Sequence, residues 1–341
     1  MSTVQWPDDS MFQHFSVFEE TYKVVDSHEI KAAVLIPKKA KPGIHPVILN
    51  FHGGFLVYGG SLFAPFFAPW ILKLALENDA VLVSADYRLL PSSNGVADVL
   101  EDLEDFWKWT RSSLPAVLES RAPGHTVDYN RLLVTGGSAG GYCATQIAMS
   151  HPDEIAAMAL VYPFVDPHDP LLFKGPAVGE PSIMRTPVED LPPKEAVMSW
   201  IEDARKTVVS KAGWERGPYA VAAAQDGVFY TKIFDHLGLD RIEHSPLKRL
   251  AAGARLPRKL WILHGDDDSV VHIRATHKLL DLIRDKSPDT TVRLDIAAGE
   301  DHGFDNFKTS WELHAIGALD FVKHSWICNR DSHRAAPVSG G

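Results

Sequence analysis

Cysteine is scarce in this chain: Cys143 and Cys328 are the only two in 341 residues. Two cannot form a disulfide framework, and they lack the paired spacing of a metal site. Cys143 falls inside an apolar stretch and reads as a small core residue rather than a reactive thiol. Positive charge is also in deficit, with 34 Lys and Arg against 44 Asp and Glu and a formal net charge of -10. No basic stripe is visible, so a nucleic-acid partner is not expected, and the acidic balance reads as a solubility feature. Long apolar runs are missing too. The longest, Ile155 to Val161, is far too short to cross a bilayer. Met1 to Ser10 carries Asp8 and Asp9 without a basic segment followed by an apolar block, so no signal peptide and a cytoplasmic location are expected. There is no internal repeat and no low-complexity tract.

What is present is ordinary for a large globular core, with 45% apolar and 23% charged residues. Short apolar runs that end in Gly, Asp or Pro alternate with helix-like segments, the pattern of a largely parallel sheet with crossover helices. Tyr22–Val25 and Ile30–Leu35 are expected to pair antiparallel at the start. Further strands are predicted at Val47–Phe51, Val81–Ala85, Leu132–Thr135, Ala157–Tyr162, Leu260–Leu263 and Val292–Ile296. Between them, Val96–Trp109, Ile273–Ile283 and Trp311–Val322 carry apolar residues at helical spacing.

One region interrupts this rhythm. From Tyr162 to Leu260 the chain is first Pro-rich, then places Val197, Trp200, Ile201, Ala204 and Val208 on one helical face, with a second helix expected over Tyr219–Leu237. We read this insertion as a helical cap over the carboxyl edge of the sheet, where open α/β sheets bind ligands. The expected division is a core in two parts, 1–165 and 246–326, a cap at 166–245 and a disordered tail at 327–341.

The chemistry concentrates in three loops. Gly136-Gly137-Ser138-Ala139-Gly140 lies between a strand and a helix-like stretch, the setting in which a tight turn lifts a serine hydroxyl clear of the sheet. It lacks G-x-G-x-x-G spacing and no lysine follows, so both nucleotide-loop readings fail. His52-Gly53-Gly54-Phe55 follows a strand directly, and a loop with so little side chain can aim N–H groups at a carbonyl oxygen. We expect oxyanion donors at Gly53, Gly54 and Ala139, with His52 bracing the loop. A hydroxyl nucleophile needs a base, and the base a carboxylate. His302, in Asp301-His302-Gly303-Phe304 after the last strand, stands out among 16 histidines by position. The carboxylate falls among Asp266, Asp267 and Asp268 on the loop after the preceding strand; Asp268 is the first choice and Asp267 the second. No EF-hand spacing occurs there, and neither a metal nor a cofactor is expected.

Together these motifs resemble the esterase and lipase branch of the α/β-hydrolases that carries an HGG oxyanion loop, similar to hormone-sensitive-lipase-type esterases and kynurenine formamidases. The resemblance runs from about Lys31 to Val322. It includes Asp86-Tyr87-Arg88-Leu89-Leu90-Pro91 and Ser245-Pro246-Leu247. Gly265, Asp268 and Val271 fit the family's G-x-x-D-x-x-V, which supports Asp268. A third glycine, usual after HGG in the lipase-like members, is replaced by Phe55, and the carboxylate motif looks more like the peptidase and thioesterase branches. The resemblance implies the α/β-hydrolase fold, a mostly parallel eight-stranded sheet with a cap.

The expected reaction is acyl transfer to water through an acyl-enzyme on Ser138. Aromatic residues follow the oxyanion loop and populate the proposed cap. Phe55, Tyr58, Trp200 and Phe304 are taken as substrate-binding, although core packing is the stronger reading for most such aromatics. An ester of an apolar or aromatic small molecule is the first expectation. A thioester on CoA or on an acyl carrier protein partner, in a natural-product pathway, comes second, and an N-acyl amide such as a formamide third. A ligand-binding protein, or a dehydratase or cyclase, on the same fold is the non-hydrolytic alternative. An oligomer is compatible with all of these.

Overall fold

The computed structural model describes residues 6–328. The tail expected at 327–341 therefore lies outside the described residues from 329 onward, and its first residue, Ile327, closes a helix. Eight strands form one sheet: β1 (Phe15–Val25), β2 (His28–Pro37), β3 (Gly43–Phe51), β4 (Val81–Ala85), β5 (His125–Gly137), β6 (Ala157–Val161), β7 (Lys259–Gly265) and β8 (Thr291–Ala297). Their order is β1-β2-β4-β3-β5-β6-β7-β8. The β1–β2 and β2–β4 pairs are antiparallel, and every pair from β4 to β8 is parallel. All eight predicted strands are present. β1 starts seven residues before the expected Tyr22, at Phe15, because its first half alternates exposed and half-buried positions at the sheet edge and carries no continuous apolar run.

Among the described residues ten α-helices accompany the sheet. The first five are α1 (Pro69–Glu77), α2 (Val96–Ser112), α3 (Leu114–Arg121), α4 (Ala139–Ser150) and α5 (Leu171–Lys174). The rest are α6 (Lys194–Ala204), α7 (Gly217–Gln225), α8 (Pro246–Ala251), α9 (Arg274–Lys286) and α10 (Lys308–Ile327). Strand side chains alternate between two cores, as a period of two requires. Val47, Leu49, Leu132 and Val134 face a core built with α2, α4 and α9, while Ile48 and Leu133 face one built with α1 and α10.

The stretch 162–258 leaves the sheet between β6 and β7 and carries α5 to α8. Its apolar residues, among them Val197, Ile201, Ala223 and Phe234, belong to the same buried cluster as α4. It is also tied down by hydrogen bonds. Tyr142 of α4 donates to the His244 carbonyl (3.0 Å), and Gly59, just past the HGG loop, exchanges backbone bonds with Ala212 (2.8 and 3.0 Å). The single helix expected over Tyr219–Leu237 is corrected: α7 stops at Gln225, and a separate π-helical turn covers Tyr230–Phe234. Gly227 breaks it. Its φ is +66°, and a Cβ there would lie 2.5 Å from the Lys174 backbone, so the chain must turn aside at a close contact.

Candidate active site

Ser138 sits at the joint between β5 and α4 with φ 55° and ψ -124°, a conformation that costs a non-glycine residue about 1–3 kcal/mol. The turn can be this tight because its neighbours are small. A Cβ on Gly140 would fall 2.0 Å from the Phe51 carbonyl oxygen, so only glycine lets α4 start against β3. The Ser138 N–H donates to the Val161 carbonyl (3.0 Å), which anchors the bend to β6.

His302 reaches this hydroxyl from the loop after β8, its Nε2 2.9 Å from Ser138 Oγ. On the far side of the ring, Nδ1 lies 2.8 Å from Asp268 Oδ2. The other Asp268 oxygen, Oδ1, accepts the N–H groups of Val270 and Val271, both at 2.8 Å. Burial would raise the Asp268 pKa, but the charges of His302 and His264 and the hydrogen bonds from their rings outweigh it and hold the carboxyl well below its ordinary value of 3.8. An ionised Asp268 can only accept, so Nδ1–H of His302 donates to it and Nε2 is free to accept from serine.

The neighbouring acids have other work. Asp267 and Asp301 both accept from Arg185 of the insertion (2.6 and 2.8 Å). Asp301 also accepts the Ser269 and His302 N–H groups (2.8 and 2.7 Å), locking the histidine loop to the Asp268 turn. Asp266 accepts from the Gly299 N–H (2.6 Å). The structure thus brings Asp268, and not Asp267, to the imidazole.

Gly53 lies beside the serine: a Cβ on it would be 3.6 Å from the Ser138 Cβ. Among the described residues, no hydrogen bond engages the N–H of Gly53, Gly54 or Ala139. His52 is turned away from the hydroxyl. Its Nδ1 bonds the Gly53 carbonyl (2.7 Å) and its ring stacks on Tyr87 at 4.4 Å, while burial pushes its pKa down to about 4. The Tyr87 hydroxyl donates to the His52 carbonyl (2.8 Å), so the Asp86–Pro91 stretch supports this loop from below.

Two chambers open on either side of Ser138. The first, about 670 Å³ and open to solvent, includes Phe55, Tyr58, Phe66, Trp70, Tyr162 and Asp305 together with Ser138 and His302. The second, about 500 Å³, is bordered by Phe55, Ala139, Phe164, Leu171, Leu172, Phe229, Val270 and Val271. Phe55 and Tyr58 therefore stand at the cleft. Trp200 and Phe304 do not, and this corrects their expected role. Trp200 stacks on Tyr219 (5.0 Å) with the Arg216 guanidinium over its ring, and Phe304 is buried against Tyr162 and His314.

Sequence reasoning missed a second group at the site. Asp305 is buried and accepts from the Trp70 indole N–H (2.9 Å) and the Tyr162 hydroxyl. The Tyr162 ring packs 4.3 Å from the His302 ring. Burial raises the Asp305 pKa above its ordinary value. The positive φ of Tyr162 (35°) is a structural mark of the site, but no local spacing announces it.

Among the described residues no helix is long and apolar enough to cross a membrane, and no group of three or more His, Cys, Asp and Glu could hold a metal ion. A family model described as the alpha/beta hydrolase fold matches residues 48–187. A probable carboxylesterase of Phoma sp. is 31% identical over 338 residues, covering 95% of this chain and 100% of that protein. A probable carboxylesterase of Cochliobolus lunatus is 31% identical over 57% of this chain and 87% of its own length. Among solved structures, an esterase of Pyrobaculum calidifontis shares the fold with a TM-score of 0.60 at 20% identity, over 93% of this chain and 88% of that one.

Proposed function

We infer the reaction from one premise: the chain belongs to the α/β-hydrolase family, in its esterase branch. It is an ester-cleaving serine hydrolase. We assign the nucleophile to Ser138, the general base to His302 and the orienting carboxylate to Asp268. The observation that carries this assignment is the unbroken hydrogen-bonded line from Ser138 Oγ through both imidazole nitrogens to a buried, ionised aspartate.

In this reading, His302 Nε2 takes the hydroxyl proton as Ser138 Oγ attacks the ester carbonyl carbon. The tetrahedral oxyanion is held by the free N–H groups of Gly53, Gly54 and Ala139, the last at the N-terminus of α4 where the helix dipole favours negative charge. Collapse expels the alkoxide, which takes the proton back from His302. Water, deprotonated by the same nitrogen, then releases the acid from the acyl-enzyme. Asp268 keeps the Nδ1 proton in place and stabilises the imidazolium of each step. The insertion 162–258 acts as a cap, supplying Phe164, Leu171, Leu172 and Phe229 to one wall of the cleft.

A panel of chromogenic esters, with thioesters and anilides of matching acyl groups, tests the assignment. Ester turnover that disappears in Ser138→Ala is the expected result. Turnover that survives that substitution would require another nucleophile.

A further inference from the structure

Resting on the hydrolase reading, we propose that the two chambers take chemically different halves of the ester: a ring-hydroxylated aromatic group in the first and an aliphatic chain in the second. The first chamber has aromatic walls, formed by Phe55, Tyr58, Phe66 and Trp70, and a polar floor. Aromatic walls favour a flat ring, through offset stacking and edge contacts. The floor asks for hydrogen bonds. Asn306 is 8% exposed and borders the chamber, yet its side-chain amide makes no hydrogen bond among the described residues. Asn50, 2% exposed, spends its amide N–H on Ser84 (3.1 Å) and keeps its carbonyl oxygen. Asp305 accepts one bond on each oxygen, from Trp70 and Tyr162, and each oxygen retains a lone pair. These groups face a chamber open to solvent, where water can meet them, so a ligand that supplies hydroxyl groups replaces those hydrogen bonds whereas one that does not forfeits them.

The second chamber is more apolar. Phe164, Leu171, Leu172, Phe229 and Val271 dominate it. Its carboxylates are already spent, Asp169 on Arg274 (2.7 and 2.9 Å) and Asp166 on Lys278 (2.7 Å), so that besides Ser138 one polar group remains, His272, whose Nδ1 is buried without a hydrogen-bond partner among the described residues. An alkyl chain fits that surface.

The test compares alkyl esters of hydroxybenzoic acids with the same esters of benzoic acid, and alkanoate esters of dihydroxybenzenes with those of phenol, which covers both orientations of the ester. Hydroxylated substrates should be preferred about tenfold in kcat/KM in at least one orientation, the yield of one neutral hydrogen bond. Asn306→Leu should bring that ratio close to one. Lengthening the alkyl portion from methyl to hexyl should raise kcat/KM in the wild type, and Leu172→Trp, which fills the second chamber, should cancel the gain. Equal rates for hydroxylated and plain rings in both orientations would overturn the proposal. So would a preference that survives both Asn306→Leu and Asp305→Asn, or a chain-length gain that survives Leu172→Trp. Fluorophosphonate labelling of each protein is run alongside. A wild type that labels without showing the preference rejects this inference alone, whereas a wild type that fails to label rejects the hydrolase reading beneath it.

Discussion

Asp268 and Asp305 are the same side chain at nearly the same depth, 5% and 2% exposed, and both belong to the surroundings of His302. Yet the protein holds one carboxyl below the ordinary value and the other above it. The difference lies in what each is given to bind. Asp268 receives two backbone N–H groups and faces two imidazoles, whereas Asp305 receives one phenol and one indole. Burial penalises both charges. The charges of His302 and His264 and the hydrogen bonds from their rings pull Asp268 down, whereas the donors to Asp305 do not outweigh its burial. One turn is built to keep a charge beside the histidine; the other forms the floor of a cavity.

Substitution of each aspartate by asparagine sharpens the contrast. In Asp268→Asn the imidazole loses the acceptor that fixes its tautomer, and kcat for a simple ester should fall by about 10⁴-fold. Asp305→Asn should lower kcat less than about tenfold and act mainly on KM, because the group touches substrate rather than the proton-transfer line. Equal losses in kcat would erase the distinction drawn here.

Thermal stability against pH separates the two by sign. Asp268, with a folded pKa below 3.8, contributes stability that is present above that value and lost as the pH falls through its folded pKa. Asp305, with a folded pKa above 3.8, binds its proton more tightly when folded, so stability declines as the pH rises from 3.8 through its folded pKa. The Tm of Asp268→Asn should therefore fall furthest below wild type at neutral pH and converge on it in acid. The Tm of Asp305→Asn should gain on wild type as the pH rises. Parallel Tm curves for the two variants would contradict the opposite pKa shifts.

The smallest effect is expected at Asp267→Asn. That side chain is exposed and joined to Arg185 at the surface, where an ion pair contributes about 0–1 kcal/mol, and kcat/KM should stay within about twofold of wild type. A large loss there would move the orienting role from Asp268 to its neighbour.

These contrasts also explain how much of the molecule is legible in sequence. Ser138 is readable because its turn needs glycines at fixed offsets between a strand and a helix, and His302 because it follows the last strand. The inner strands are readable because burial on both faces leaves continuous apolar runs, whereas β1 and β8 at the sheet edges are only half-buried. Trp70, Tyr162 and Asp305 are not readable as a group. They come from α1, the end of β6 and the loop before α10, and only the strand order brings them together. Trp200 fails for a different reason. An amphipathic helix in an insertion carries the same apolar stripe whether it faces the cleft or packs within the insertion itself, and here it stacks on Tyr219. The break at Gly227 hides likewise, since the contact that forces it is with Lys174, far along the chain.

The central claim is that His302, held by Asp268, activates Ser138. Its most direct test is the rate of fluorophosphonate adduct formation, followed by mass spectrometry of the digested protein. The account predicts a single adduct on the peptide containing Ser138, formed at least 10³-fold more slowly, to order of magnitude, in His302→Gln. An adduct on a different residue, or labelling of Ser138 at an undiminished rate in His302→Gln, would contradict it.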